Sequence, residues 1–509
     1  MNALDKGLEY HKLRVYKSKE NLPKEKQLAY KIAKMVCDNV KISKEVEDMV
    51  INRIIDNASV AIASLERRPV ANARAMAINH PRHDNRGSAV FGMPNNKKFH
   101  AEWAAWANCT AVRELDYHDT FLAADYSHPG DSIPAVLAVA QQLEKSGKDL
   151  LKGIVASYEV HVNLVKAICL HEHKIDHVAH LCPAQAAGIC AMLNLDIETT
   201  YQAIQQALHV SVSTRQSRKG EISSWKAYVP AHGAKLAIEA VDRAMRGEGA
   251  PSPIYEGEDS VLAWILDGPK SDYTVPLTAI GNEKRAILET YTKEHSAEYQ
   301  SQALIDMAFR MRDHIADFSQ IKNILIETSH HTHYVIGTGA QDPQKMDPNA
   351  SRETLDHSIM YIFAVALLDG RWHHVDSYTR AKAQNPETIS VWHKISTVEK
   401  PYWSKAYHEK DPNKKVFGGK VIITMNDGKV IEDQIERANA HPAGARPFVR
   451  ENYIGKFDML TNQLITKEER NRFIGLVENL RNLSSEEVKE INLQVTDLSN
   501  STLDSKGIF

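Results

Sequence analysis

Five cysteines in 509 residues (Cys37, Cys109, Cys169, Cys182 and Cys190) are odd in number and scattered through apolar surroundings. They supply no disulfide frame and are expected as reduced core thiols. Cys182 and Cys190 are eight apart and no Cys-x-x-Cys pair accompanies them, which removes the usual basis for an iron–sulfur cluster. No apolar run of about 18 residues could span a bilayer. The opening Met-Asn-Ala-Leu-Asp-Lys lacks the basic-then-apolar pattern of a signal peptide, so the expected location is cytoplasmic. Neither sign of charge dominates: 62 basic and 65 acidic residues give a formal net charge of −3. That balance gives no sign of a nucleic-acid binder: no broad basic face is evident, and a local basic pocket remains open. There is no internal repeat and no low-complexity tract.

A chain of this length can bury a sizeable core, in two domains or in one large one. Its first 22 residues are charged and aperiodic, which reads as a mobile arm or a wrap around a second subunit. From Pro23 the spacing turns helical. Leu28, Ile32, Met35, Val36 and Val40 share one stripe, and Val46, Val50, Ile54 and Ile55 the next, with Ser43 placed as its cap,. Helices are predicted over 101–112, 133–145 and 150–170, over the pair 183–195 and 198–210, and over 226–246. Nothing before about residue 280 asks to be a sheet. Gly-Glu-Gly-Ala-Pro-Ser-Pro and Asp-Gly-Pro break the periodicity of residues 247–285,. Beyond them come a buried strand at 321–328, a hairpin from 421–425 to 429–435, and helices at 301–316 and 355–369. A Pro/Gly-rich return at 441–447 leads to amphipathic helices at 466–481 and 485–493. The expected fold is mainly α with an inserted α/β (α+β) lid domain. Residues 1–280 start the helical domain, 281–444 form the lid, and 445–509 return to the helical domain.

The densest polar stretch, residues 115–134, sets Asp116, His118, Asp119, Asp125, His128 and Asp131 between two apolar helical segments. Asp131 or Ser132 can cap the second helix and Pro134 suits its first turn. His128 then sits just before a helix N-terminus, where free N–H groups favour an anion. The plain alternative is a polar loop of capping aspartates and surface histidines. In residues 171–180, His173 and His177 are four apart and would share a helix face as metal ligands. However, Lys174 follows His173, where the zinc-protease pattern needs Glu. His330, His331, His333, His373 and His374 stand at element ends and are expected to face solvent, so no metal is assigned. Lys226 opens a helix, and a cation there adds to the N-terminal field and calls for an anion; a solvated surface lysine is the plain alternative. The polar stretch 292–302 enters a helix at the domain boundary, where clefts form. Asp356, His357 and Ser358, with Tyr361 one turn on, complete the set.

These motifs run in a fixed order. They are Leu-Asp116-Tyr-His-Asp119-Thr, His128-Pro129-Gly130-Asp131, Ile-Asp176-His177-Val, Trp225-Lys226-Ala-Tyr228, Thr292-Lys293-Glu294-His295-Ser-Ala-Glu298-Tyr-Gln-Ser-Gln302 and Asp356-His357-Ser358-Ile-Met-Tyr361. With them the chain resembles the MmgE/PrpD family over nearly its whole length, and within it the 2-methylcitrate dehydratase branch. The resemblance implies a large helical domain with an inserted α/β lid, a homodimer, and a cleft lined by Asp116, His128, His177, Lys226, Lys293 and Tyr361. It implies no cofactor. The family's decarboxylases, which act on cis-aconitate, have a histidine where this chain has Glu298, so the stretch from Glu298 to Gln302 is similar to the dehydratase branch.

The implied reaction removes water from 2-methylcitrate to give 2-methyl-cis-aconitate, a step of propionate catabolism, with citrate as a second candidate substrate. A proton must leave a carbon α to a carboxylate, which barely acidifies it, so electrostatic stabilisation does most of the work. Lys226, Lys293, Arg215 and the helix start after His128 are assigned to the carboxylates, with Asp119 and Glu298 also at substrate-binding positions. His128 paired with Asp116 is one member of the acid–base couple, and Tyr361 or His177 is the other. Which is acid and which base stays open, as does whether His177 or His180 faces the cleft. The other readings are a related cis-aconitate decarboxylase or epimerase, a metal-dependent hydrolase, and a non-catalytic helical scaffold. The partner is a small tricarboxylate, with no nucleic acid and no membrane.

Overall fold

The computed structural model describes residues 7–84, 86–219, 222–409, 411, 414–495 and 507–509. The predicted arm is, from residue 7, largely ordered as strand β1 (Leu8–Arg14); its first six residues lie outside the described part. Helices α1 (Leu28–Cys37), α2 (Lys44–Ala63), α3 (Arg68–Ile78) and α4 (Ala101–Glu114) follow. Ser43 accepts a hydrogen bond from the Val46 N–H and caps α2, as its place before the apolar stripe predicts,. A small hairpin, β2 (Phe121–Leu122) and β3 (Tyr126–Ser127), and a 3-10 turn (Pro129–Ser132) lead into α5 (Ile133–Gln142). Next come α6 (Gly147–Ala167), α7 (Val178–Leu193), α8 (Ile197–Val210), α9 (Trp225–Met245), the single turn α10 (Val261–Trp264) and strand β4 (Asp272–Thr278).

Strands β1 and β4 pair antiparallel, Leu8 opposite Thr278 and Arg14 opposite Asp272. This ribbon and the β2–β3 hairpin correct the expectation that no sheet precedes residue 280. The ribbon buries few side chains, Leu13 on β1 and Val275 and Leu277 on β4 among them, and Pro276 interrupts the strand signal, so local alternation is weak. Helices α6, α7 and α9 centre the helical domain. A Cβ on Gly188 of α7 would stand 2.7 Å from both the Gly153 carbonyl oxygen and Ser157 Cβ of α6. The two helix backbones touch there, leaving space for hydrogen alone. Ile154, Val155, Ile189, Met192, Val136 and Val241 close the core around that contact.

The inserted unit holds α11 (Gln302–Arg312), β5 (Ile321–Thr328), α12 (Arg352–Leu355), α13 (Ile359–Asp369), α14 (Arg380–Ala383), α15 (Pro386–Trp392), β6 (Ile395–Glu399), α16 (Pro401–Tyr407), β7 (Gly419–Met425) and β8 (Val430–Ile435). Its sheet runs β6-β5-β7-β8, with β5 parallel to β6 and the other pairs antiparallel. Ile324, Ile326, Val421 and Ile423 share one core with Leu304, Met307, Phe363 and Trp392. Helices α17 (Arg450–Thr461), α18 (Lys467–Glu478) and α19 (Ser485–Val488) then return. Tyr453, Phe457, Phe473 and Val477 join Ile51, Ile54 and Ile55 in the helical core. The last predicted helix stops after one turn because the chain leaves to meet Gly92, whose N–H donates to the Leu493 carbonyl at 2.8 Å. The fold is mainly α with an α/β insertion, for which we propose the bounds 281–444. Among the described residues no helix is long and apolar enough to cross a membrane. All five cysteines are free, with Cys109, Cys182 and Cys190 buried.

Candidate active site

The site is built outward from Asp116. It follows the end of α4 with φ at 49°, a left-handed turn that costs an L-residue about 1 kcal/mol and that Asp tolerates better than most. The turn aims its carboxylate back at Arg113, on the last turn of α4, whose Nη1 meets Oδ1 at 2.5 Å. Lys293 Nζ reaches Oδ1 at 2.6 Å and the Asp116 carbonyl at 2.9 Å, and Lys226 Nζ lies 3.1 Å from Oδ2. Lys226 also donates to both oxygens of Asp356, at 2.9 and 3.0 Å, and Arg352 bonds Asp356 at 3.1 Å. Burial would raise the Asp116 pKa, but Arg113, Lys226 and Lys293 outweigh it and hold the group well below the usual carboxylate range,. Arg113, Lys226, Lys293 and Arg352 outnumber by one the aspartates they meet, Asp116, Asp356 and Asp131, the last 3.9 Å from Arg113 Nε, so this buried cluster has positive charge to spare for an anion.

His128 stands over that cluster. Its Nδ1 is 3.0 Å from the Asp119 carbonyl; a carbonyl only accepts, so Nδ1 carries the proton and Nε2 is bare. That bare nitrogen lies 3.7 Å from Asp116 Oδ1. Burial, aided by Arg113 and Lys293, pushes the His128 pKa well below its ordinary value, against the pull of Asp116. The loop is held from beneath by Asp119. Its Oδ1 accepts from the Gly130 N–H at 2.8 Å and its Oδ2 from Tyr158 at 2.8 Å, with Arg53 at 3.3 Å. A Cβ at Gly130 would collide with the Asp119 carboxylate, so this close approach requires glycine,. The anion expected at this helix start is thus the protein's own Asp119. Neither Asp131 nor Ser132 caps α5 through its side chain; Asp131 turns instead to His118 at 2.9 Å.

His177 faces His128, with ring centres 5.9 Å apart. Its Nδ1 is 3.1 Å from Asp176 Oδ1 and its Nε2 3.9 Å from Asp131 Oδ2. Burial would lower this imidazole, yet Asp176 and Asp131 more than offset that and raise its pKa. His180 does not compete for the role, since its Nε2 is buried against the Ile168 carbonyl at 3.0 Å. Asp176 Oδ2 also accepts from Ser217 at 2.9 Å and from Arg218 Nε at 3.1 Å. Both Nη atoms of Arg218 are buried without a partner. Arg215 and Arg218 bound one 3-10 turn, where residues three apart eclipse on the same face, and both line the cavity.

The cavity is lined from the helical domain by Arg113, Asp116, Asp125, Tyr126, His128, His171, Asp176, His177, Arg215 and Arg218, and from the lid by Glu298, Val335 and His357. Burial, against Lys293, pushes Glu298 up to about 7. Burial and Lys226 bring His357 down to about 3. The structure thus gathers Asp116, His128, His177, Arg215 and Glu298 around one space. Lys226 and Lys293 lie behind Asp116, 2% and 0% exposed; they hold protein carboxylates, because Asp116 and Asp356 reach them first. Asp119 points away from the cavity into its own bonds. Tyr361 is outside it too: its hydroxyl donates to the Ser377 carbonyl at 2.5 Å and its ring packs 5.0 Å from Trp392, in the lid core. His173 and His177 share no helix, as a break separates the turn at His171–His173 from α7. His331 is buried, contrary to expectation, against Tyr407 and His408. Asp116, Asp356 and His357 lie close enough to share an ion, but Lys226 already occupies their midst and a dication would be repelled there.

The sequence assigned no site role to Arg113 or Arg218, and it offered Asp131 only as a helix cap and Asp176 only as part of a motif. Arg113 had a signal, three residues before Asp116 at a helix end, and Arg218 had another, three after Arg215. Comparison with known proteins gives the same alignment of parts. Residues 26–274 match the MmgE/PrpD N-terminal domain and residues 295–482 the MmgE/PrpD C-terminal domain. A Saccharomyces cerevisiae protein named probable 2-methylcitrate dehydratase is 26% identical over 356 residues, covering 65% of this chain and 65% of that protein. A mitochondrial 2-methylcitrate dehydratase of Yarrowia lipolytica is 27% identical over 344 residues, covering 64% of this chain and 63% of that protein. The chain therefore spans less than two thirds of the length of these two relatives. A 2-methylcitrate dehydratase of Salmonella typhi is 23% identical over 383 residues, covering 72% and 76% of the two chains. With both domain profiles matched in order along one chain, the protein belongs to the MmgE/PrpD family.

Proposed function

We propose that the protein is a hydro-lyase that removes water from 2-methylcitrate to give 2-methyl-cis-aconitate. One observation carries the reading: two imidazoles face each other 5.9 Å apart, one held neutral and one favoured in its protonated form. Groups whose environments drive their pKa values apart are the usual makings of an acid–base pair. His128 Nε2 takes the proton α to a carboxylate while His177 protonates the departing hydroxyl. The C–H and C–O bonds break, a carbon–carbon double bond forms, and water leaves. Solvent then returns one proton to His177 and accepts one from His128. Negative charge develops on the carboxylate next to the carbanion, and the positive excess around Asp116 stabilises it. The free Nη pair of Arg218, with Arg215 beside it, is the fork that holds a second carboxylate. The relatives' names support the same reaction class.

The proposal includes turnover without a metal or organic cofactor, a homodimer, and a cytoplasmic setting in the methylcitrate cycle. The test is the rise in ultraviolet absorbance of the conjugated product from 2-methylcitrate. His128→Ala should lower kcat by about 10²- to 10⁴-fold, the range for removing a general base. Near-normal rates in that variant would end the assignment. Citrate and cis-aconitate run in parallel separate dehydration from decarboxylation or epimerisation through their products.

A further inference from the structure

In the wall of the cavity, which Asp125 and His171 also line, lies a cluster that this reaction does not use. His171 Nδ1 is 2.8 Å from Asp125 Oδ1 and 3.1 Å from Cys169 Sγ, and the three atoms all fall within 4.8 Å of one another. The loops that bring them are tied already, since Asp125 Oδ2 accepts from the Leu170 N–H at 2.9 Å. A further donor arrives from the other lobe. The ring of His331, just past β5, is centred 5.1 Å from that of His171. Two imidazoles on one tetrahedral ion have centres roughly 5 Å apart, given metal–nitrogen bonds of about 2 Å.

We infer that Asp125, Cys169, His171 and His331 form a binding site for a zinc-class divalent ion that joins the helical domain to the lid. One thiol, two imidazoles and one carboxylate suit a borderline-soft tetrahedral ion. Magnesium and calcium want oxygen ligands and a higher coordination number. Coordination sends the Cys169 thiol proton to solvent, and the thiolate and the Asp125 carboxylate then offset both charges of the ion. That neutrality matters because Arg215, which stacks 5.0 Å from the Tyr126 ring, faces Asp125 from the cavity side. Ligand atoms around such an ion stand about 3.4–3.6 Å apart for bonds of about 2.0–2.3 Å. The present hydrogen-bonded trio therefore opens by only about half an ångström.

The test is cobalt(II) titration of the metal-stripped full chain, read by absorption. One equivalent should bind with an intense near-ultraviolet sulfur-to-cobalt band and strong visible bands of four-coordinate cobalt. Cys169→Ser should lose the sulfur band, and His331→Ala should weaken the visible bands several-fold as water replaces imidazole. A wild-type protein with no sulfur band overturns the site without recourse to any variant. A band that persists in Cys169→Ser overturns it as well, and unchanged visible bands in His331→Ala remove the link between lobes. None of these readings needs turnover, so they stand or fall apart from the dehydratase proposal.

Discussion

Asp176 serves two neighbours with one carboxylate, the imidazole of His177 through Oδ1 and the guanidinium of Arg218 through Oδ2. Its loss should therefore have two separable effects. With His128 depressed and His177 raised, kcat/KM should hold level across neutral pH. It should fall on the acid side as His128 takes a proton below its ordinary 6.5, and on the basic side as His177 loses one above 6.5. Asp176→Asn removes the charge that favours the imidazolium, so the basic limb should move down by about one pH unit or more, the usual effect of a close opposite charge. Arg218→Lys keeps Asp176 and should leave that limb in place. It should instead raise KM by about 10- to 100-fold, the worth of hydrogen bonds to a charged group, with kcat little changed because the fork holds substrate and transition state alike. A pH–rate profile of both variants checks this: a basic limb that stays put in Asp176→Asn contradicts the role of His177. At this scale the sequence showed residue types better than directions. His128 and His177 were legible from their motifs, but Lys226 and Lys293 read as free cations because the aspartates that claim them are distant in sequence. Tyr361 was placed in the cleft by the family resemblance alone, and the turn of α13 carries it into the lid core.

Elements were legible where their apolar period is strong and their ends are marked. Ser43 before α2, Asp196 before α8 and the Asn-Asp-Gly turn between β7 and β8 each show their function locally. The β1–β4 ribbon was not, since a two-stranded surface ribbon takes its stability from a partner that no local window contains. Close helix contacts were equally hidden, because Gly153 and Gly188 in an alanine-rich stretch look like weak helix positions. In the fold they are what lets α6 and α7 meet. Gly188→Ala improves helix propensity by about 1 kcal/mol, so propensity alone predicts a gain in stability. The added methyl would press on the Gly153 carbonyl and Ser157 at 2.7 Å, and overpacking of this kind costs about 1–3 kcal/mol. The net expectation is a lower urea midpoint for Gly188→Ala, measured by far-ultraviolet circular dichroism. A midpoint equal to or above wild type would show that the two helices part without strain.

The whole molecule buries several imidazoles in a form that resists protonation, and this sets how it meets acid. Burial is the leading cause at His128, His161, His331, His357 and His441, all depressed below the ordinary histidine value, His331, His357 and His441 to about 3. In the unfolded chain each takes a proton near pH 6.5, whereas the folded chain refuses it until far lower, so stability is lost as pH falls from 6.5 towards those folded values. Glu114, Glu256 and Glu298, pushed up to about 7 mainly by burial, act in the opposite sense: folded, they bind protons before they would unfolded, and their stability rises as pH falls through 7. These carboxyls, joined by His177, whose pKa is raised, offset only part of the depressed imidazoles, which also include His180 and His374. Each uncompensated proton is worth about 1.4 kcal/mol per pH unit. Stability should thus decline by a few kcal/mol between pH 7 and 5, before the aspartates held by Arg113, Lys226, His118 and Arg218 begin to titrate. Urea midpoints taken at half-unit steps from pH 7.5 to 5 read this directly. A midpoint that is flat or rising toward pH 5 would mean that the buried histidines take up protons in the folded state, and would weaken the assignment of His128 as a neutral base along with it.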